Sequence, residues 1–388
     1  MSLNSSVSVI ITTFNRAGFL RESLTSVLTQ SRPPLEVIVV DDGSTDDTPA
    51  VVQGFGRDVV YVRKDNGGKA AAINFALPRA RGDYLWFFDD DDVALPEAIE
   101  RRLEVLQVRR ELGWIFSSHY VGKTGLNGSI VRGAQMEVKA LPESDLLYRL
   151  LLECFFYLQS CLFHRTCFAK IGKLNESLLR SQDYELLIRF ALQFKFSGIT
   201  DPTFVLRLHD GVRGPLAARH GVATRFQMWN KYDRIIGRQI REQLKLKDFA
   251  GDPHKTSQTD SVDSRFALIR RSAVMASKGL ISEMMEDSLE ASTMCGDRLS
   301  ADERILCHRQ MQFPNFWQSY VNDAPAFWRG VRSLIRTRVG REILMFYFVG
   351  LLHHAKWGDK PLLERAHHVV MSLRILAYFF FFGWRYGY

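Results

Sequence analysis

The sequence contains few cysteines and no long uninterrupted apolar run. Its five cysteines are an odd number, and they lack the paired short spacing of a zinc site. We therefore expect reduced thiols in a cytoplasmic protein, without a disulfide framework. No stretch reaches the roughly 18 consecutive apolar residues of a membrane span, and the N-terminal segment lacks the basic start of a signal peptide.

Length and composition indicate an ordered protein of two domains. The chain has 388 residues, of which 46% are hydrophobic and 24% charged, and this balance excludes a disordered or fibrous protein. The formal net charge is +8, which favours an anionic partner. Nucleotides, nucleic acid and anionic lipid all fit that charge.

The first part of the chain alternates apolar strands with helical periodicity. Val7–Ile11 and Glu36–Val40 are short apolar runs, and Ala17–Gln30 between them carries apolar residues at helical spacing. Strands that are apolar throughout are typical of a parallel sheet covered on both faces by helices. The pattern predicts an α/β, Rossmann-like domain.

A run of four aspartates follows the most aromatic strand of that domain. The aromatic run Tyr84–Phe88 predicts a buried strand. Directly after this strand come four carboxylates, those of Asp89, Asp90, Asp91 and Asp92. Four adjacent carboxylates beside a buried strand end need a counter-charge, and their hard oxygens suit Mg²⁺ or Mn²⁺. The alternative is an acidic turn whose last residues cap the next helix.

Other polar groups also follow strand ends. Thr12 and Phe14 follow the first strand and Asp42 follows the second, and ligands of open parallel sheets collect at the carboxyl ends of the strands. The string DNGGK places Lys69 at a helix start, where it can contact an anion. It is not a nucleoside triphosphatase phosphate loop, because Ala70 stands where that motif requires serine or threonine.

Five strings together resemble the family 2 glycosyltransferases, which are inverting enzymes of GT-A fold. The strings are VSVIITTFNR, VIVVDDGS, DNGGKAAAIN, GDYLWFFDDDD and SQDYELLIRF, and the resemblance covers about the first 215 residues. It implies a nucleotide-sugar donor, most simply a UDP-sugar, together with Mn²⁺ or Mg²⁺. It also implies a hydroxyl acceptor on a glycan or glycolipid.

The resemblance implies donor contacts for four residues. Thr12, Phe14 and Asp42 match the positions that hold the nucleotide base, and Lys69 matches the lysine that faces the diphosphate. Each also has a structural interpretation: a loop hydroxyl, a core ring, a turn residue and a solvated lysine. A lysine at a helix start opposes the helix dipole, which favours an anion near Lys69.

The resemblance also implies a metal site. Asp91 matches the metal ligand, while Asp89 or Asp90 faces the ribose and diphosphate. His209, in VLRLHDGVRG, matches a histidine that helps hold the metal or diphosphate. A structural histidine is the alternative there.

The same resemblance implies a catalytic base. Asp183 matches the aspartate that accepts the proton of the acceptor hydroxyl. Gln182 stands where many relatives have an acid. The structural alternative is a helix-start aspartate that stabilises the dipole.

The second half of the sequence is rich in helix-forming residues. We predict a catalytic domain over 1–215 and a mostly helical domain over 222–388. The tail 331–388 has nine Lys or Arg and three Asp or Glu, and it also carries clustered aromatics. This favours contact with an anionic membrane surface on the cytoplasmic side, with a buried helical hairpin or a homo-oligomer interface as alternatives.

A second class of function competes with catalysis. The chain could keep the nucleotide-sugar fold as a non-catalytic scaffold or binding protein that acts through its helical tail. A nucleic-acid partner is disfavoured, because the excess positive charge lies in an aromatic tail and not on a known reading module.

Overall fold

A computed structural model describes residues 5–138, 142–209, 225–251, 264–294, 296, 298–357 and 369–377. The described residues form two compact units. The first unit lies within 1–147 and 154–229, and the second within 148–153 and 230–388.

The first unit is built on a nine-stranded mixed sheet. Its strands are β1 (Val7–Thr13), β2 (Glu36–Asp41), β3 (Val60–Arg63), β4 (Tyr84–Asp89), β5 (Val93–Ala94), β6 (Trp114–Thr124), β7 (Ile130–Met136), β8 (Leu162–His164) and β9 (Phe196–Leu208). Its helices are α1 (Ala17–Leu28), α2 (Thr48–Gln53), α3 (Lys69–Ala76), α4 (Ala98–Val108), α5 (Glu143–Leu152), α6 (Phe168–Ile171) and α7 (Gln182–Gln193), and the last turn of α5 belongs to the second unit.

The order β3-β2-β1-β4 is parallel throughout, which confirms the prediction for the first part of the chain. The central residues of β1, β2 and β4 are fully buried because helices cover both faces of the sheet. Beyond β4 the sheet is mixed, because β6 and β9 pair parallel whereas the other pairs are antiparallel. β8 pairs antiparallel with β4 and β6, β7 with β6, and β5 with β9. These are short strands and a hairpin outside the βα repeats on which the prediction rested.

One buried histidine lies within this sheet. His119 of β6 is 4% exposed, and its ring stacks on Phe204 at a centroid distance of 5.1 Å. The ring of Tyr157 packs edge-on against it, also at 5.1 Å. Burial lowers the pKa of His119 to about 4, so the imidazole is neutral at pH 7.

We expect His119 to make the first unit less stable at acidic pH. The folded protein holds the pKa near 4, below its ordinary value of 6.5. The unfolded chain therefore binds more protons between these values, and stability falls as the pH decreases. Urea unfolding at pH 7 and pH 5 should show that the wild type loses about 1 to 2 kcal/mol more than His119→Phe. His353→Gln, at an exposed position, is the control, and equal losses in wild type and His119→Phe would contradict the expectation.

The second unit is helical. Its helices are α8 (Arg225–Gln243), α9 (Ser264–Ser277), α10 (Ile281–Ser292), α11 (Ala301–Gln310), α12 (Pro314–Leu334) and α13 (Arg338–Trp357), and the start of α8 up to residue 229 belongs to the first unit. Residues 369–377 are also helical. Gly279, which adopts φ +67°, lies in the turn between α9 and α10.

Among the described residues, no helix has both the length and the apolar character that crossing a membrane demands. The four described cysteines are free, and three of them are buried. Within the predicted tail, the apolar run ILMFYFVGLL lies in α13. From residue 378 onward, the aromatic run at the C-terminus lies outside the described residues.

Candidate active site

The predicted site residues of β1, β2 and β4 meet at one edge of the sheet. β1 lies between the other two strands, and Thr12 is level with Val40 on one side and with Asp89 on the other. Since the three strands are parallel, their carboxyl ends lie side by side. The loops that follow them therefore surround one crevice.

The loop after β1 is tied to the loop after β2. Asn15 adopts φ +53°, and its backbone N–H donates to Ser44 Oγ at 2.9 Å. Its side-chain Oδ1 accepts from the Thr45 N–H at 2.7 Å. Thr12 and Phe14, beside this link, have intermediate exposure. Their predicted contact with a nucleotide base remains a prediction.

Asp42 organises the loop that leads into α3. Its buried carboxylate accepts hydrogen bonds from Lys64 Nζ at 2.8 Å and Asn66 Nδ2 at 3.1 Å. It also accepts from the N–H groups of Gly67 at 3.0 Å and Gly68 at 2.7 Å. Gly68 has φ +86°, which only glycine adopts without strain. Four donors occupy the acceptor capacity of this carboxylate, so Asp42 shapes the loop before Lys69.

Lys69 contacts the acidic run, and the charge of the predicted base acts on it. Its ammonium contacts the Asp89 carboxylate. Burial works to lower the pKa of Lys69, but the charges of Asp89 and Asp183 outweigh it, and the pKa is raised. Lys69 is therefore a stable cation at the start of α3, where the helix dipole alone would disfavour it.

Arg16 supplies the main counter-charge to the acidic run. Its Nη1 lies 2.9 Å from Asp90 Oδ1 and 2.6 Å from Asp91 Oδ2. The charge of Asp90 and that of Asp91 raise the pKa of Arg16 against its burial. Burial raises the pKa of Asp90 to about 6, although Arg16 opposes that shift. The guanidinium thus satisfies part of the demand for positive charge that the sequence assigned to a metal.

Asp92 is anchored to β9 and to the loop before β8. It accepts from Gln159 Nε2 at 2.7 Å and from the Arg207 N–H at 2.8 Å. Burial raises the pKa of Asp92 well above its ordinary value. The buried Arg207 side chain donates to the Asp91 carbonyl at 2.8 Å and also contacts the Glu22 carboxylate. These bonds hold the end of the acidic run in place.

His209 lies beside Asp91. Its Nε2 is 2.8 Å from Asp91 Oδ2, and its ring centroid is 5.4 Å from that of Phe19. The structure thus brings together the two residues that the sequence predicted as metal ligands.

The acidic run can hold a divalent cation. Asp89, Asp91 and Asp92 each offer an oxygen, and these ligand atoms all lie within 4.8 Å of one another. Carboxylate oxygens are the ligands that Mg²⁺ and Mn²⁺ prefer. The donor set therefore fits such an ion. Asp90, which pairs with Arg16, is not in this group.

Asp183 lies in the first turn of α7, close after the left-handed Ser181. It is partly exposed, and its Oδ1 accepts from the Tyr184 N–H at 2.9 Å. Its negative charge acts on Lys69, which places the predicted base at the same crevice as the acidic run. Its preceding neighbour Gln182 also lies in this turn.

Three residues of this arrangement were not predicted from the sequence. They are Arg16, Gln159 and Arg207. A signal existed for Arg207, because a charged side chain inside the apolar run FVLRL indicates a buried ion pair. Nothing in the local sequence around Gln159 points to Asp92, since the two residues are 67 positions apart.

Part of this chain is similar to known glycosyltransferases. Residues 8–165 match the model of glycosyl transferase family 2. The chain is 31% identical over 201 residues to an uncharacterised glycosyltransferase of Rickettsia prowazekii, covering 50% of this chain and 60% of the relative. It is 40% identical over 108 residues to TuaG of Bacillus subtilis, named for teichuronic acid biosynthesis, covering 26% of this chain and 42% of TuaG.

Solved structures support the fold. S. aureus TarS 1–349, solved in complex with UDP-GlcNAc, superposes with a TM-score of 0.52 at 16% identity. The alignment covers 83% of this chain and 90% of that chain. At this identity the likeness shows the fold alone, and it confirms the predicted GT-A domain followed by a mostly helical region.

Proposed function

Since residues 8–165 match the model of glycosyl transferase family 2, we propose that this chain is an inverting, metal-dependent glycosyltransferase that uses a UDP-sugar. The observation that carries the proposal is the position of Lys69. Lys69 contacts Asp89 of the acidic run, and the negative charge of Asp183 helps to raise the pKa of Lys69. Groups suited to the leaving diphosphate and to the attacking hydroxyl thus lie at one crevice.

The leaving side of the reaction needs positive charge, because a departing nucleoside diphosphate gains negative charge in the transition state. Lys69 and Arg16 contact the acidic run from the starts of α3 and α1. A bound Mn²⁺ or Mg²⁺ would supply further charge against the diphosphate oxygens, and Asp89, Asp91 and Asp92 would hold it with His209 adjacent.

Asp183 is the general base that activates the acceptor hydroxyl. Its carboxylate accepts the proton of the acceptor hydroxyl while that oxygen forms a bond to the anomeric carbon. The bond from the anomeric carbon to the diphosphate oxygen breaks, and the nucleoside diphosphate leaves with the electron pair. Because attack and departure occur on opposite faces, the configuration inverts.

The nucleotide base lies in this proposal against Thr12 and Phe14. Asp42 contributes by holding the loop 64–68 through its four hydrogen bonds. A direct contact of Asp42 with the base would require one of those donors to leave. Asp89 or Asp90 faces the ribose and diphosphate.

The acceptor is a glycan or glycolipid hydroxyl. The resemblance to TuaG, which is named for teichuronic acid biosynthesis, supports a polysaccharide acceptor. The basic tail 331–388 supports a location at the cytoplasmic face of a membrane. Because the chain spans 60% of the length of its Rickettsia relative, the donor, acceptor and location of the whole protein all belong to this proposal.

Calorimetric titration tests the donor class. We expect UDP to bind in the presence of Mn²⁺ at least about tenfold tighter than GDP, and to bind weakly when Mn²⁺ is removed by a chelator. A hydrolysis screen over UDP-, GDP- and dTDP-sugars then identifies the sugar. If none of these nucleotides binds, the proposal fails and the non-catalytic scaffold is favoured.

A further inference from the structure

The end of α12 and the start of α13 form a strongly positive part of the second unit. Five arginines lie within 13 residues there, namely Arg329, Arg332, Arg336, Arg338 and Arg341. Between 324 and 341 the sequence has no acidic residue. All but Arg341 are exposed.

Hydrogen bonds link the residues of the turn between the two helices. The Gly340 N–H donates to Thr337 Oγ1 at 2.9 Å, and Arg341 Nη1 donates to the Ile335 carbonyl at 3.1 Å. A Cβ at position 340 would lie 2.1 Å from the Leu334 carbonyl oxygen, so only glycine fits. The arginines lie on this turn and on the helix ends that adjoin it.

One face of α13 is firmly packed. Ile343, Leu344, Tyr347 and Leu351 are fully buried. The Tyr347 hydroxyl is 2.7 Å from Ser288 Oγ and 2.7 Å from Gln310 Oε1. Packing and hydrogen bonds therefore fix the orientation of α13 within the unit.

The opposite face of α13 is apolar and open. Met345, Val349 and Leu352 are exposed by 45%, 40% and 40% respectively. Their spacing of four and three residues places them on one stripe of the helix. Arg341 lies four residues before Met345, and Arg338 lies three residues before Arg341, so both belong to the same stripe. One stripe thus begins with two cations and continues with three exposed apolar side chains.

We propose that this stripe, together with Arg329, Arg332 and Arg336, binds an anionic lipid bilayer. We refer to these eight residues as the α12–α13 surface. Cations beside exposed apolar side chains match a bilayer, which offers phosphates and, just below them, hydrocarbon. A soluble polyanion would use the arginines but leave the apolar stripe in water. A second copy of the chain that packed its own α12–α13 surface on this one would bring arginines close to arginines, and these like charges would repel one another.

The proposal sharpens the membrane part of the proposed function, but it does not depend on glycosyl transfer. Each arginine near an anionic surface contributes about a fivefold gain in partitioning. The apolar residues add a contribution that salt does not screen. The two contributions can therefore be separated by experiment.

Co-sedimentation of the full chain with vesicles tests the proposal. With vesicles of about one third phosphatidylglycerol in phosphatidylcholine, we expect binding that falls steeply as NaCl rises from about 0.1 to 0.5 M. Arg332→Gln/Arg336→Gln should weaken it about 10- to 30-fold. Met345→Ser/Val349→Ser should also weaken it, and the binding that remains should be more sensitive to salt.

Matched controls come from α11, which carries the exposed Ile305 and Arg309. Ile305→Ser/Arg309→Gln should leave vesicle binding unchanged. Circular dichroism and UDP titration of each variant check that the fold and the donor site are intact. The proposal is overturned if the wild type does not bind anionic vesicles or binds neutral vesicles equally. It is also overturned if the α13 variants convert an oligomer to a monomer without changing vesicle binding.

Discussion

Asp183→Asn is expected to reduce sugar transfer by about 100- to 10,000-fold, the range typical of a lost general base. The amide cannot accept the proton of the acceptor hydroxyl, so the attacking oxygen must lose it to water. Donor binding should change little, because Asp183 acts on the opposite side of the anomeric carbon. Transfer rates and UDP titration, measured on the same preparation, separate the two effects.

Glu185→Gln provides the matched control. Glu185 lies in the same first turn of α7, where its carboxylate pairs with Arg189 at 2.7 Å. Its loss removes one negative charge from the helix start, as Asp183→Asn does, so both variants lose a similar dipole interaction. Only Asp183→Asn should lose transfer. Unchanged turnover in Asp183→Asn would show that the aspartate has a structural role alone.

Asp91→Asn is expected to weaken Mn²⁺ binding severely and to lower transfer by at least about 100-fold, which corresponds to about 2.7 kcal/mol. Asp91 belongs to the group of three carboxylates that can share an ion. Its Oδ2 also accepts from Arg16 Nη1 at 2.6 Å and lies 2.8 Å from His209 Nε2. The amide removes one of the charged ligand oxygens, so UDP binding should lose its dependence on Mn²⁺.

Asp90→Asn separates a metal ligand from a neighbouring charge. Asp90 is the member of the acidic run that lies outside the group of three, and it forms an ion pair with Arg16. We expect this variant to bind Mn²⁺ within about fivefold of the wild type. Manganese binding can be followed directly by electron paramagnetic resonance. If Asp90→Asn loses the ion and Asp91→Asn retains it, the assignment of the ligand is reversed.

The early strands could be predicted because their signal is local. β1, β2 and β4 are apolar along most of their length, as strands buried on both faces must be, and each ends where polar residues begin. The positions of Thr12, Asp42 and Asp89 at the site edge follow directly from those strand ends. The turn at Gly279 between α9 and α10 was harder to predict, because a helix often tolerates a glycine and the sequence does not show that this one adopts a left-handed conformation.

Local sequence patterns were enough to predict that Asp42 and the acidic run would lie at one edge of a sheet, whereas Asp183 was assigned only through the family resemblance. The pairing of each carboxylate with its cation depended on the folded arrangement of the whole first unit. Arg16 reaches Asp90 and Asp91 across more than 70 residues, and Arg207 reaches the run across more than 110. Adjacent aspartates in a turn point in different directions, and buried charges are stable only when partnered. Those partners come from distant strands and loops, so no local pattern could assign them.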